Sequence, residues 1–174
     1  MKPKKQRAIF NLEDLLTYRI SSIYSQLSAG TARELQQFGL VLREWRVIAM
    51  LARHEPLSAS ELVARSPMDK ASVSRALASL LERGLLLVAT SPTDARIKVL
   101  RLTPAGWDLY QRVAPRSVAR QKALLSALTS AERELFGSML ARIEKEIVRH
   151  FSQASLPASS VTGAHPRSAK AGSR

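Results

Sequence analysis

The 174-residue chain has no cysteine, which excludes disulfides, thiolate metal sites, cysteine nucleophiles and thiol-based redox sensing. Aromatic residues are scarce, at 5% of the chain, and are too few to indicate an aromatic cage. No run of about 18 apolar residues occurs, so we expect no membrane span. Glu13 and Asp14 follow the basic first residues where a signal peptide would be apolar, and we therefore expect a cytoplasmic protein.

Acidic residues are also scarce in comparison with basic residues. The chain has 14 Asp and Glu against 27 Lys and Arg, a net charge of +13. All the acids lie between Glu13 and Glu146, which leaves residues 1–9 as a basic arm. Residues 152–174 are rich in Ser, Ala, Pro and Gly, and this composition predicts a disordered tail. The positive excess favours a polyanionic partner, above all nucleic acid, although the arm either touches phosphate or only aids solubility.

Motifs for catalysis and metal binding are absent as well. His54, His150 and His165 are far apart in the sequence, and none has a second ligand at metal-binding spacing. The sequence contains no H-E-x-x-H, no G-x-S-x-G and no glycine-rich phosphate loop. We therefore predict that the protein is not an enzyme and uses no metal and no cofactor.

The spacing of apolar residues predicts six helices and one β-hairpin. Asn11, Asp69 and Thr103 are expected helix caps, Ser58 and Thr129 begin S/T-x-x-E capping boxes, and Gly84 is an expected helix stop. In chain order, the predicted elements are a helix over 11–37, a helix over 42–54, a short helix from Ser58 to about Ser66, a helix over 70–83, strands over 85–90 and 97–103, a helix over 105–128 and a helix to about Phe151.

Three helices followed by a hairpin predict a winged helix-turn-helix domain over residues 40–103. The fold class is thus mainly α, an α+β winged helix. The flanking regions, 10–38 and 104–151, form long helices whose apolar faces are too wide for so small a core to cover. The simplest way to bury those faces is against each other and a second copy of the chain, so we expect a homodimer built on these dimerisation helices.

Three stretches of residues 10–150 resemble the MarR (multiple antibiotic resistance regulator) family: LREWRVIAML, LSASELVARSPMDKASVSRALASLLERGLL and SPTDARIKVLRLTPAG. The most specific part is the hairpin tip with Asp94 and Arg96, which leads into Leu102, Thr103 and Gly106. The resemblance implies a dimeric bacterial transcription factor that binds a palindromic operator. It also implies, for many members, a repressor that is released by a small anionic aromatic compound.

A recognition helix needs polar or basic residues opposite its buried stripe. The helix over 70–83 is the candidate, and Arg75 is the residue best suited to guanine, because its guanidinium fork matches O6 and N7. Alternatively, Arg75 is a surface residue paired with Glu82 or Glu61. The predicted DNA-contacting residues are Ser58, Ser60, Lys70, Ser72, Ser74, Arg75, Arg96 and Lys98.

The other members of that set have alternatives of their own. Ser58 and Ser60 begin a helix whose free N–H groups can hold a phosphate, and Ser58 can cap the same helix. Arg96 at the hairpin tip either enters the minor groove or forms a salt bridge with Asp94 that shapes the turn. Lys98 is expected to meet phosphate.

An effector site is predicted from Tyr18, Arg19, Trp45 and His54. Arg19 interrupts an apolar stretch and can hold a carboxylate, or it lies outside the buried face and pairs with Glu13. Trp45 lines a cleft in similar proteins, or it is plain core. One cation with aromatic walls would suit an aromatic acid.

The sequence thus favours a ligand-responsive, sequence-specific repressor, with double-stranded operator DNA, a second copy of the chain and an aromatic acid as partners. The alternative is a non-specific architectural DNA-binding protein, which would bind any duplex with a salt dependence set by its phosphate contacts alone. A protein-interaction module whose basic charge is incidental is a further alternative, and it would bind no duplex at ordinary salt.

Overall fold

A computed structural model describes residues 10–91 and 94–154. The predicted basic arm 1–9 and most of the predicted tail, residues 155–174, lie outside the described residues. Within those two described ranges, no helix is long and apolar enough to cross a membrane. The chain divides into two compact units, Met1–Gln121 and Lys122–Arg174.

The helices and strands follow the predicted order closely. After a 3-10 turn at Leu12–Asp14 they are α1 (Leu16–Gln36), α2 (Leu42–His54), α3 (Ala59–Arg65), α4 (Lys70–Glu82), β1 (Leu86–Thr90), β2 (Lys98–Leu102), α5 (Pro104–Leu125) and α6 (Ser130–Ala154). The prediction of a mainly α fold with a winged helix-turn-helix core is confirmed.

The start of the first helix was predicted wrongly. Asn11 caps only the 3-10 turn, where its side chain accepts a hydrogen bond from the Glu13 N–H at 3.2 Å. Leu15 then adopts an extended conformation, and α1 begins at Leu16 without a side-chain cap. Apolar spacing continues through Leu15 and Leu16, so the periodicity could not reveal this break. At the other end of the chain, α5 stops at Leu125 rather than 128, and α6 continues to Ala154.

The core of the first unit lies where α2, α3 and α4 pack against the base of the hairpin. Its fully buried side chains include Ile48, Leu51, Leu62, Val73 and Leu80. These residues recur at three- and four-residue steps, which turns one stripe of each helix inward. Apolar burial of this kind is the main source of stability for the domain.

One charged residue is part of this core. Glu44 in the first turn of α2 is only 5% exposed. Its carboxylate accepts hydrogen bonds from the Val41 N–H at 3.0 Å, the Ser79 hydroxyl at 2.7 Å and the Arg83 guanidinium at 3.3 Å. The same carboxylate thus caps α2, where Val41 has no polar side chain to do so, and fixes α2 to the C-terminal end of α4.

The hairpin, or wing, is anchored at its base. β1 and β2 pair antiparallel, with Leu86 opposite Leu102 and Thr90 opposite Lys98. A further bridge joins Leu57 to Leu100 on the other edge of β2. The Leu102 N–H donates to the Glu55 carboxylate at 2.8 Å, which ties the end of β2 to the end of α2.

The connection between β2 and α5 is hydrogen-bonded to the C-terminal end of α4. Gly84 has a φ of +65° and ends α4 as predicted, because glycine tolerates this left-handed conformation. The Thr103 hydroxyl donates to the Gly84 carbonyl at 2.7 Å and accepts from the Gly106 N–H at 3.1 Å. A Cβ on Gly106 would stand 2.2 Å from the Leu85 carbonyl oxygen, so no larger residue fits there without displacement of the backbone.

The long helices expose apolar side chains in the single chain. In the first unit, α1 exposes Leu16, Ile20 and Ile23, and Glu34 near its end forms an ion pair with Arg120 of α5. In the second unit, α6 begins with the predicted capping box, since Thr129 and Glu132 exchange hydrogen bonds. Over residues 130–151, α6 has no buried side chain, and its large exposed apolar residues there are Leu135, Phe136, Met139, Leu140, Ile147, Val148 and Phe151.

We predict that Glu44→Ala lowers the free energy of unfolding by about 2 kcal/mol, because part-buried donors lose their acceptor and hydrogen bonds to charged groups contribute about 1.5–3 kcal/mol. Urea denaturation should show a lower midpoint with an unchanged m-value. Glu82→Ala is the matched control, since Glu82 is an exposed acid on α4, and it should shift stability by less than about 0.5 kcal/mol. Equal midpoints for the two variants would contradict this role of Glu44.

We also predict that Gly106→Ala destabilises the domain by about 1–3 kcal/mol, the usual cost of forcing an extra group into a packed site. Gly30→Ala is the control, because a Cβ at Gly30 meets no atom within 4 Å in this helix. That control should leave stability unchanged or raise it by up to about 1 kcal/mol through helix propensity. A neutral result for Gly106→Ala in the same urea experiment would show that the backbone can yield there.

Candidate nucleic-acid interface

The helix-turn-helix consists of α3 and α4, and α3 begins with a complete capping box. The Ser58 hydroxyl accepts from the Glu61 N–H at 3.2 Å, and the Glu61 carboxylate accepts from the Ser58 N–H at 2.8 Å. The pKa of Glu61 is lowered, first by the hydrogen bond that the Ser58 N–H donates to its carboxylate and then by the one that the Ser58 hydroxyl donates at 2.7 Å. Ser60 lies within hydrogen-bond distance of Ser58, with 3.0 Å between the two hydroxyl oxygens. Both predicted serines therefore lie together at the start of α3.

The first turn of α4 holds a chain of three polar side chains. Asp69 caps the helix by accepting from the Ser72 N–H at 2.7 Å and the Ser72 hydroxyl at 2.9 Å. The Ser72 hydroxyl in turn accepts from the Arg75 guanidinium at 3.3 Å. The pKa of Asp69 is lowered, chiefly by the hydrogen bond from the Ser72 N–H. This chain orients Arg75 from the helix end.

The two faces of α4 differ sharply. Val73, Ala76, Leu77 and Leu80 are buried. Lys70, Ser74 and Arg75 are exposed and Ser72 is half-buried. In residues 10–91 and 94–154, Arg75 makes no ion pair within 4.0 Å with Glu61, Glu82 or any other acid, so the predicted alternative of a paired surface arginine is not what the fold contains.

The wing carries the remaining predicted cations. Asp94 shapes the tip by accepting a hydrogen bond from the Arg96 backbone N–H at 2.9 Å. An ion pair between these two side chains is absent from the part of the chain that the structure describes, and the Arg96 side chain is exposed. Lys98 donates across the hairpin to the Thr90 hydroxyl at 3.1 Å.

The predicted effector residues divide into two groups. Trp45 is 8% exposed and stacks on Tyr110 of α5, with ring centroids 5.9 Å apart, so it belongs to the core. It also lines an open pocket of about 580 Å³, to which His54 contributes. Tyr18 and Arg19 are exposed on α1 and are not among the residues that line this pocket.

Sequence reasoning missed the other cations of that pocket, Arg46, Arg53 and Arg65. Arg46 also donates to the Tyr24 hydroxyl at 3.4 Å, and this bond lowers the pKa of Tyr24. The signal was present in the sequence, because Arg46 and Arg53 are seven residues apart and thus share a face of α2.

The groups in this region suit contact with a nucleic acid better than they suit binding of a metal ion. Among the described residues, no group of three or more His, Asp or Glu is arranged to hold a metal ion. The arrangement instead presents backbone N–H groups, hydroxyls and cations, which are the groups that contact phosphate and base edges.

Comparison with known proteins agrees with this fold. A sequence model described as the MarR family matches residues 38–97. The crystal structure of a MarR/EmrR family transcriptional regulator from Acinetobacter sp. ADP1 has a TM-score of 0.75 and 26% identity, over 80% of this chain and 99% of that one. The winged helix-turn-helix region of this chain thus matches the MarR family. The match of 38–97 covers α2, α3, α4 and β1, and it includes every residue of the candidate interface except Lys98.

Two more relatives show how far the similarity extends. The structure of the Staphylococcus aureus MepR–DNA complex has a TM-score of 0.74 at 19% identity, over 79% of this chain and 99% of that one, and is similar in fold. An uncharacterized HTH-type transcriptional regulator of Staphylococcus aureus (strain MRSA252) is 30% identical over 92 residues. That match spans 53% of this chain and 63% of the relative.

We predict that the charge of Asp69 gives the stability of this domain a characteristic pH dependence. Its pKa is depressed on folding, so it adds stability at pH values above its unfolded pKa of about 3.9, and this contribution is lost as pH falls through the lower folded value. Asp69→Ser keeps a neutral cap but removes the charge. We expect the urea midpoints of wild type and Asp69→Ser to differ most near neutral pH and to converge below about pH 3.9.

Asp69→Asn is the control for cap geometry, because it also keeps a neutral acceptor. Its midpoint should follow that of Asp69→Ser across the pH series. A difference from wild type that stays constant from acid to neutral pH would show that the charge of Asp69 has no part in capping α4.

Proposed function

We propose that the chain is a homodimeric, sequence-specific DNA-binding transcriptional regulator, and that it acts as a repressor released from a palindromic operator by a small anionic aromatic effector. The observation that carries this proposal is the exposed polar face of α4. Lys70, Ser74 and Arg75 are solvent-accessible there, opposite a fully apolar buried stripe.

The geometry of α4 suits base recognition. Base readout in the major groove needs short polar and forked cationic side chains near the N-terminus of a recognition helix. Arg75 meets this requirement, since Ser72 orients it and no carboxylate within 4.0 Å neutralises it among the described residues. The solved MepR complex contains DNA on a protein of the same fold. By analogy, α4 would enter the major groove.

The start of α3 and the wing extend the same interface. Ser58 and Ser60 suit a phosphate at the N-terminus of α3, and Lys98 suits a phosphate beside the wing. Arg96 is exposed at the wing tip and suits the narrow minor groove. Contacts of these kinds set the register on the duplex, while Arg75 reads sequence.

A second copy of the chain would cover the apolar faces of the long helices. Leu16, Ile20 and Ile23 on α1 are each at least 40% exposed, as are Phe136 and Met139 on α6. Faces of this kind on long helices are usual at homodimer interfaces. A two-fold dimer would bring two copies of α4 to successive major grooves, about 34–36 Å apart.

The effector part of the proposal is supported by the pocket beside Trp45 and His54. A pocket of about 580 Å³ with an aromatic residue and several cations fits a small aromatic acid. Arg19 and Tyr18 on α1 remain candidates for contact with such a ligand in the dimer. Release from the operator requires that the effector bind the free protein more tightly than the DNA-bound protein.

The decisive measurement is fluorescence anisotropy with a duplex from the region upstream of the gene and a scrambled duplex, at about 0.15 M salt. We expect a preference of about a thousandfold, with two chains per duplex. Equal affinity for both duplexes would favour the non-specific architectural alternative.

We predict that Arg75→Ala and Lys98→Ala weaken binding in different ways. Arg75→Ala should reduce the preference for the operator by about tenfold or more, because a bidentate base contact contributes about 1–3 kcal/mol of discrimination. Lys98→Ala should weaken both duplexes equally and reduce the salt slope by about one. Arg112→Ala, on α5, is the control for loss of one positive charge and should change neither quantity. If Arg75→Ala keeps the full preference for the operator duplex, Arg75 does not contribute to base recognition.

A further inference from the structure

The pocket beside Trp45 has an unbalanced charge that a simple aromatic acid does not match. Arg46, Arg53, His54 and Arg65 contribute to its lining, and no acid does. These residues come from two elements, since α2 provides Arg46, Arg53 and His54 while the last residue of α3 provides Arg65. The pocket thus joins the face of α2 to the turn that leads into the recognition helix.

Two of these arginines form no close ion pair. Arg53 and Arg65 are exposed and have no carboxylate within 4.0 Å in residues 10–91 and 94–154. Glu61 on α3 attracts Arg65 from a longer distance, while its carboxylate accepts hydrogen bonds from the N–H and hydroxyl of Ser58. Arg46 differs, because it is half-buried and donates to the Tyr24 hydroxyl.

The rest of the lining is apolar. Trp45, Ala49, Met50 and Pro67 complete the pocket, and its volume of about 580 Å³ lies within the usual range for small-molecule sites. Guanidinium groups bind carboxylates and phosphates through paired hydrogen bonds, one anionic group for each fork. A single carboxylate would therefore engage one arginine fork and leave the other exposed arginine with solvent as its partner.

We infer that this pocket takes an aromatic ligand with two or more separated anionic groups, held by Arg53 and Arg65 across the apolar surface of Trp45 and Met50. The inference deepens the effector part of the proposed function and rests on that part. It names a ligand class, an aromatic polyanion, and it assigns the binding role to two arginines rather than to Arg19.

The test uses the tryptophan in the pocket. In the full-length Trp107→Phe variant, Trp45 is the one remaining tryptophan of the chain and reports ligand binding by fluorescence. The probes are benzoate, benzene-1,3-dicarboxylate and benzene-1,3,5-tricarboxylate, titrated at constant ionic strength. Propane-1,2,3-tricarboxylate is the non-aromatic control. Calorimetry of the same acids with the wild-type chain checks that the Trp107→Phe change has not altered the site.

We expect affinity to rise at least tenfold from the mono-acid to the tri-acid, because each added charge-assisted hydrogen-bond pair contributes about that factor or more. The aromatic tri-acid should bind more tightly than the non-aromatic one. Arg53→Gln and Arg65→Gln should each weaken tri-acid binding about tenfold and leave benzoate almost unchanged. Arg33→Gln removes an exposed charge from α1, outside the pocket, and should have no effect.

Three results would overturn the inference: no binding of the polyacids, equal affinity for all three aromatic acids, or the same loss in Arg33→Gln as in the pocket variants. The duplex titration with the same preparations separates this failure from failure of the proposed function. Normal operator preference without polyacid binding would refute the ligand class alone. A loss of duplex affinity in Arg53→Gln and Arg65→Gln, with polyacid binding unchanged, would assign both arginines to DNA phosphate instead.

Discussion

The geometry of the helix-turn-helix depends on the carboxylate of Glu44. This one group accepts hydrogen bonds from Val41, Ser79 and Arg83, and so joins the start of α2 to the end of α4. At the opposite end of α4, Asp69 holds the first turn through Ser72. The recognition helix is thus fixed at both termini by acids of different character, one buried and one exposed. Base readout needs side chains held in a defined position, and such fixation supplies it.

The charged groups around α4 carry out separate tasks because their surroundings differ. Glu44, Glu55 and Glu61 are each engaged in hydrogen bonds with backbone or side-chain donors, so they organise the fold. Of these three acids, Glu44 also forms an ion pair with Arg83. A chain with 27 basic and 14 acidic residues can in this way keep free cations on its surface while its acids stabilise helix ends. The positive surface available for phosphate, or for an anionic ligand, follows from this division of roles.

Local patterns in the sequence predicted the fold well where the physical cause is local. Apolar spacing and caps gave α2 to α4, the hairpin and the box at Thr129, since those signals act over three or four residues. The sequence pattern did not reveal the 3-10 turn before Leu16, because Leu15 and Leu16 both fit the apolar spacing of a helix. The sequence pattern also did not reveal that Glu44 is buried, because its side-chain donors are 35 and 39 residues away in the sequence.

The candidate site shows the same limit. Arg75 could be chosen because its face of α4 is defined by local periodicity, whereas the pocket with Arg53 and Arg65 brings together two helices that the sequence keeps apart. Its existence depends on how α2 packs beside the end of α3, and composition alone does not encode that packing.

The closed base of the wing limits sequence variation at the hairpin ends more than at the hairpin tip. Gly84, Thr103 and Gly106 clamp both ends of the hairpin to the end of α4. Near the tip, the Ile97 carbonyl accepts from the Ser91 N–H, and the Asp94 carbonyl accepts from the Ile97 N–H. Insertions or deletions at surface tips cost little, because loop closure depends weakly on length. The length of the wing tip can therefore change in evolution, or by grafting, while the core that carries the recognition helix α4 stays constant.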